Sequence, residues 1–375
     1  MKSQSFGAAL WHAAVLAGML AVAGCAEVTD SDVKQELPVF PPPPEQPRFY
    51  YEGTIYSSAD VEQEEEYGGF RRLATGESRT GEGLAKPYGV AVRHGRVYVT
   101  DTVRRSVLLF DIPGRKFVPI GAEDPGALRL PLGLDVDGAG NIYVVDGTNK
   151  VVQVYDTDGK YLRELGKPEQ FSRPSGIAVD KAGTRVYVVD TGGVDKPDHR
   201  VRVLDAHNGA LLFDIGKRGD KPGEFNLARD AVISPDGLLY VVDGGNFRVQ
   251  VFDLDGKFLR TFGSIGRQGG QFSRPKEVAV DAAGNVYIVD AAFGNFQIFN
   301  KEGQLLLDVG SRANEDGPAK YMLPSGISID DDGRVYMVDQ FFRKVDVYRP
   351  AGLDPKSRPG MGTAPAQGAP ATPAK

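Results

Sequence analysis

Pro174-Ser175-Gly176-Ile177-Ala178-Val179-Asp180 is followed by Arg185-Val186-Tyr187-Val188-Val189-Asp190, and then by Val201 to Asp205 and Leu211 to Ile215. Each stretch is short, rich in β-branched residues and ended by a turn former, which predicts four antiparallel strands in a row. A sheet of this kind has two apolar faces and no helix to cover either. It must be buried between copies of itself.

The copies are present on both sides. The Asp that closes the second strand falls at Asp101, Asp146, Asp190, Asp243, Asp290 and Asp339, at intervals of 44 to 53 residues. That period, with four strands per unit, predicts an all-β protein, a six-bladed β-propeller. Asp135 to Asn141, Asp156-Thr157-Asp158-Gly159, Asp236-Gly237, Asp253-Leu254-Asp255-Gly256 and Asp330-Asp331-Asp332-Gly333 supply the positive-φ residues that hairpins need. These Asp-x-Asp-Gly runs lack the further ligands and the twelfth-position Glu of a calcium loop, so they read as turns. The six closing aspartates also read as structural, each accepting main-chain N–H bonds at a strand end.

The sixth repeat starts at Leu323 and has only three strands, the last from Lys344 to Tyr348. Arg48 to Tyr56 is an orphan strand candidate at the other end of the body. Pairing it there would close the ring, complete the last blade and remove an exposed edge. Residues 59–75 read as a short surface helix, with Phe70 to Gly76 as a rival closing strand.

The phrases Pro-x-Gly-x-Ala-Val-Asp, Val-Tyr-Val-Val-Asp and, at Asn246 to Asp253, Asn-Phe-Arg-Val-Gln-Val-Phe-Asp resemble NHL repeats over residues 84–350. The resemblance implies a six-bladed propeller of four-stranded antiparallel blades. It implies little about chemistry, because propellers of this type include binding scaffolds, sensor domains and a few enzymes.

Outside the repeats the chain reads differently. Lys2, an apolar run from Ala8 to Val22 and Val22-Ala23-Gly24 before Cys25 mark residues 1–24 as a secretory signal rather than a transmembrane span. The segment resembles the bacterial lipobox, which implies a lipoprotein acylated on Cys25 and anchored to a membrane with its body in water. Ala26, by the same resemblance, implies the outer membrane of a Gram-negative cell envelope. Cys25 is the one cysteine, so neither an intrachain disulfide nor a multi-cysteine metal site can form. Residues 25–47 read as a Pro-rich tether, 48–350 as the propeller and 351–375 as a disordered Gly/Ala/Pro tail. The formal net charge of -6 repels phosphate backbones, so no nucleic acid is expected as a partner, and the body is expected to be a monomer.

In a propeller the first strand of each blade lines the central channel, and the loops leading into it share one rim with those joining strands two and three. Function is expected on that rim. The lead-in phrase is Pro87-Tyr88-Gly89, Pro131-Leu132-Gly133, Pro174-Ser175-Gly176, Ala228-Arg229-Asp230, Pro275-Lys276-Glu277 and Pro324-Ser325-Gly326. Where four blades place Gly, blades four and five place Asp230 and Glu277, each after a cation, Arg229 and Lys276. Four charges are therefore expected at one side of the channel mouth, as a self-compensating ion-pair cluster or as a polar ligand clamp, with Tyr88 beside them. Phe247, Phe293, Phe341 and Phe342 follow the closing aspartates. They either flank the charges as a surface for a sugar, peptide or protein, or pack between blades.

Two functions fit these residues. The first is a membrane-anchored binding or scaffold module for an envelope protein, glycan or peptide ligand, with no catalytic residue, metal or other cofactor. The alternative is a metal-dependent lyase or lactonase, because peptidylglycine-amidating lyases and gluconolactonase-like hydrolases are propellers with a channel metal. After processing, His94, His199 and His207 remain in three separate loops, so zinc is not expected. Calcium on Asp230 and Glu277 is the cation that oxygen ligands suit, with Arg229 and Lys276 competing for the same carboxylates. No nucleophile paired with a base is visible.

Overall fold

The computed structural model describes residues 37–62, 81–357 and 359. Blade one consists of strands Pro87–Arg93, Arg96–Asp101, Ser106–Asp111 and Lys116–Ile120. Blade two is Pro131–Val136, Ile142–Asp146, Val151–Tyr155 and Tyr161–Leu165, and blade three is Pro174–Val179, Arg185–Asp190, Arg200–Asp205 and Leu211–Ile215. Blade four is Ala228–Ile233, Leu238–Asp243, Arg248–Asp253 and Phe258–Phe262, and blade five is Pro275–Val280, Val286–Asp290, Asn295–Phe299 and Leu305–Val309. Blade six takes Pro324–Ile329, Val335–Asp339 and Lys344–Pro350 from the end of the body and Phe49–Ile55 from its start. Each innermost strand packs against those of both neighbouring blades, the sixth against the first, so the wheel is closed.

Both faces of a blade are apolar because both are covered. The second strands Ile142–Asp146 and Val286–Asp290 are buried along their whole length, whereas the outer strand Tyr161–Leu165 alternates exposed Leu162 with buried Leu165. The buried side chains form six clusters, one per interface between blades. Tyr143, Val145, Ile177 and Val188 join blades two and three, and Tyr240, Val242, Val278 and Ile288 join blades four and five. Each fully buried Val, Ile or Leu contributes about 1.5–3 kcal/mol, and in the absence of disulfides this packing carries the fold.

The closing strand is the one expected from Arg48 to Tyr56. It runs antiparallel to Lys344–Pro350, with Tyr51 opposite Tyr348 and Ile55 opposite Val345. Thr54 Oγ1 donates to Asp346 Oδ1 at 2.7 Å, and buried Lys344 pairs with Asp346 at 3.1 Å and Asp316 at 2.9 Å. Arg334, also buried, pairs with Glu52 at 2.8 Å and donates to Ser357 O at 2.7 Å. Val39–Phe40 adds a short strand outside Phe49 and Tyr50, with the Phe40 ring edge-on to Tyr348. Residues 63–75 of the expected surface helix, the rival strand from Phe70 to Gly76, the predicted signal sequence, Cys25 and most of the C-terminal tail lie outside the described residues. Among the described residues no helix is long and apolar enough to cross a membrane.

Candidate functional site

Every innermost strand opens with the same irregularity. Its first residue pairs with the closing Asp and its fourth pairs again, leaving two residues opposite one. In blade four Ala228 faces Asp243 and Ala231 faces Val241, and in blade five Pro275 faces Asp290 and Val278 faces Ile288. A bulge of this kind re-aims its two residues. The third position turns to the channel, where Gly133, Asp230 and Glu277 line a cavity that no second-position residue lines.

At the third position most blades have no room for a side chain. A Cβ on Gly176 would lie 2.5 Å from Asp230 Cα, and one on Gly133 would lie 2.7 Å from Ser175 O. Blades four and five instead send a carboxylate across to the next blade. Asp230 Oδ2 accepts from Val278 N at 3.2 Å and Glu277 Oε2 from Ile327 N at 3.3 Å. Together with Asp135, whose Oδ2 accepts from Val179 N at 2.8 Å, they line a channel cavity of about 150 Å³. Burial pushes Asp135 up to about 6 and Asp230 up to about 7. Burial, then the Asp230 charge, holds Glu277 well above the usual carboxylate range. Near neutrality the channel wall therefore carries far less negative charge than its three carboxyls suggest.

Arg229 and Lys276 do not line this cavity. The Arg229 stem lies against Gly244 at the mouth, where a Cβ would come within 2.8 Å of Cγ. Both cations are half-buried, and neither forms an ion pair or a side-chain hydrogen bond with another described residue. Burial, with the charges of Arg173 and Arg274, lowers the pKa of Arg229, and burial with Arg229 and Arg274 lowers that of Lys276. Arg229 and Lys276 thus form no ion pair with Asp230 or Glu277, because the bulge sends cation and carboxylate different ways. Tyr88, on blade one, reaches the same region. Burial, then Glu277 and Asp230, hold its hydroxyl well above the ordinary value, with Arg229 and Arg173 opposing.

Of the predicted aromatics, Phe341 and Phe342 are in ring contact, and no ring contact joins Phe247 or Phe293 to them among the described residues. Phe247 has a left-handed backbone (φ 55°) and packs against the cluster between blades four and five. Phe293 is half-buried, and its carbonyl accepts from Arg312 N. Phe342 lies edge-on to Phe341 at 5.3 Å and under Lys344 at 5.8 Å, which leaves Phe341, 56% exposed, as the open ring. The histidines are also dispersed. His94 is exposed beside Asp331, and His207 is exposed beside Asp205. His199 is buried, its Nε2–H donating to Gly193 O while Nδ1 accepts from Leu227 N. Among the described residues no group of three or more His, Cys, Asp or Glu is placed to hold a metal. The closing aspartates do the local work read from the sequence. Asp101 Oδ2 accepts from Ala85 N and Lys86 N, and Asp290 from Ser273 N and Arg274 N, stapling each lead-in loop to its blade.

Three residues of this region escaped the sequence reading. Asp135 stands where blades one, three and five have Ala91, Ala178 and Ala279, a visible departure hidden inside what read as a turn. Arg173 and Arg274 precede Pro174 and Pro275, one residue ahead of the phrase that drew attention.

A family model, NHL repeat, matches residues 225–252, which run through blade four. The body of this chain is an NHL-repeat β-propeller. Human NHL repeat-containing protein 3 is 35% identical over 106 residues, 28% of this chain and 29% of that protein, and the mouse protein is 36% identical over the same length. The NHL-repeat propeller thus matches under a third of the length of these relatives. Among solved structures, streptogramin B lyase shares the fold at TM-score 0.52 and 14% identity, covering 71% of this chain and 94% of that one. A gluconolactonase from Xanthomonas campestris does so at TM-score 0.53 and 17% identity, covering 71% and 86%. Likeness at that identity extends to the fold alone.

Proposed function

We propose that this propeller is a lipid-anchored binding module of a bacterial cell envelope, tethered through Cys25 in the outer membrane. It holds an envelope protein, peptide or glycan ligand at the channel mouth. Arg229, Lys276 and Tyr88 contact the ligand, Asp230 and Glu277 form the floor beneath them, and Phe341 is reachable on the same rim. The observation that carries this reading is that Arg229 and Lys276 are half-buried without a partner among the described residues, which leaves their donors for a ligand. The test is recovery from solubilised envelope by the full chain and by the Arg229→Ala, Lys276→Ala double variant. A species retained by the first and lost by the second supports the reading, and equal recovery of every species overturns it. For the anchor, Cys25→Ser abolishes palmitate labelling and membrane sedimentation, and unchanged sedimentation removes that part.

A calcium-dependent lyase or lactonase is the weaker reading. Calcium takes six to eight oxygen ligands, whereas Asp230 and Glu277 each have an oxygen committed to a neighbouring blade. Calcium-dependent turnover of lactones by the chain would reverse that preference.

A further inference from the structure

Four basic side chains surround one side of the channel mouth. Arg173 and Arg274 stand on the lead-in loops of blades three and five, and Arg229 and Lys276 stand in the bulges of blades four and five. Arg229 is within electrostatic reach of Arg173 and Arg274, and Lys276 of Arg229 and Arg274. Like charges gathered at a partly desolvated place repel one another unless a counter-charge lies between them. Among the described residues no carboxylate pairs with any of the four, and Asp230 and Glu277 are bound on the cavity side to Val278 N and Ile327 N.

The collar is also held in place. Asp190 accepts the N–H of Arg173 at 2.7 Å, and Asp290 that of Arg274 at 3.0 Å, so the main chain of both loops is anchored beneath the exposed side chains. The carbonyls of Arg229 and Ala228 are gripped by Ser175 Oγ at 2.9 Å and Thr191 Oγ1 at 2.7 Å. Three guanidinium forks and one ammonium, two of them half-buried and two exposed, thus stand on anchored backbone as charge-assisted donors. Tyr88, within electrostatic reach of Arg229 and Arg173 and of Glu277 and Asp230, adds a hydroxyl.

We propose that the collar formed by Arg173, Arg229, Arg274 and Lys276 binds a polyvalent oxyanion, a phosphate or a polycarboxylate, and that the ligand of the channel mouth carries such a group. This rests on the mouth being the binding site, and it specifies what is bound there. It also sets local charge against global charge. The chain is acidic as a whole, yet its mouth recognises acid.

The experiment is calorimetric titration of the full chain with sodium phosphate and with sodium citrate at constant ionic strength, chloride being the reference. Saturable binding of one equivalent is expected, weakened at least about ten-fold by either Arg229→Ala or Lys276→Ala. Arg115→Ala, at the far end of blade one, leaves it unchanged, and matching thermal midpoints show that the variants are folded. Tighter phosphate than citrate identifies a phosphorylated group, and the reverse order a polycarboxylate. Heats no larger than those with chloride overturn the proposal, as does equal affinity in the wild type and the double variant. A partner captured through Arg229 and Lys276 but not displaced by either anion also overturns it while leaving the binding module intact. Anion binding without a captured partner leaves the collar standing and removes the module.

Discussion

Blades three and four are adjacent copies of one unit, and their innermost strands differ most in chemistry at the third position, where one has no side chain and the other a carboxylate. Blade three has Gly176, over which the backbone and carboxylate of Asp230 lie so closely that a Cβ would stand 2.5 Å from two atoms. Blade four has Asp230 itself, reaching forward to Val278 N. The glycine makes way for the spoke, and the spoke fills what the glycine leaves. Between blades three and four the charge reaches the axis where the preceding copy gives up a side chain, whereas Glu277 of blade five follows a copy that keeps Asp230.

The severest challenge to that pairing is Gly176→Asp. Forcing a second carboxylate into the place of the first is expected to cost about 3 kcal/mol, read as a lower urea midpoint. Unchanged stability would mean that the close approach does not constrain the sequence.

Asp230→Asn addresses the charge rather than the space. Because burial raises Asp230 to about 7 in the folded chain against an ordinary value near 4, the folded form holds a proton that the unfolded form releases. Stability from this group is full below about pH 4 and falls as pH rises towards 7, by about 1.4 kcal/mol per unit at the steepest. Asp135 and Glu277 act in the same direction. The Asn variant is expected to be the more stable protein at pH 8, by roughly 1–3 kcal/mol, and nearly equal to wild type at pH 4. A gap that does not depend on pH would show that Asp230 ionises freely.

Asp230→Gly restores the majority phrase and removes the bond to Val278 N. A loss of about 1 kcal/mol is expected at pH 5, where the charge is absent. The smallest effect belongs to the mouth. Arg229→Ala with Lys276→Ala removes repulsion and no internal bond, so thermal stability should change by less than about 0.5 kcal/mol. A larger loss would mean that the two side chains serve packing rather than a ligand.

The wheel was legible because its signals are local and repeated. The closing aspartates, the turn residues and the unpaired Arg48 to Tyr56 each state a short-range requirement, and repetition shows through noise. The channel was half legible. The substitution of Gly by Asp230 and Glu277 stands out in an alignment of the chain with itself, but the direction of Arg229 and Lys276 depends on a bulge that strand alternation does not reveal. Asp135 was masked by a turn that starts two residues later, at Asp137. The aromatics misled because a loop residue next to a buried strand can fold inward, as Phe247 does through its left-handed backbone.

The bond from Thr54 to Asp346 joins residues 292 positions apart. During synthesis at roughly 5–20 residues per second, the first strand of the wheel waits on the order of 15–60 s for the partner that completes it. Throughout that interval its hydrogen-bonding edge and the apolar side of the growing arc are open to other chains. The cell must shield a whole unfinished polypeptide, since no earlier fragment offers a finished rim.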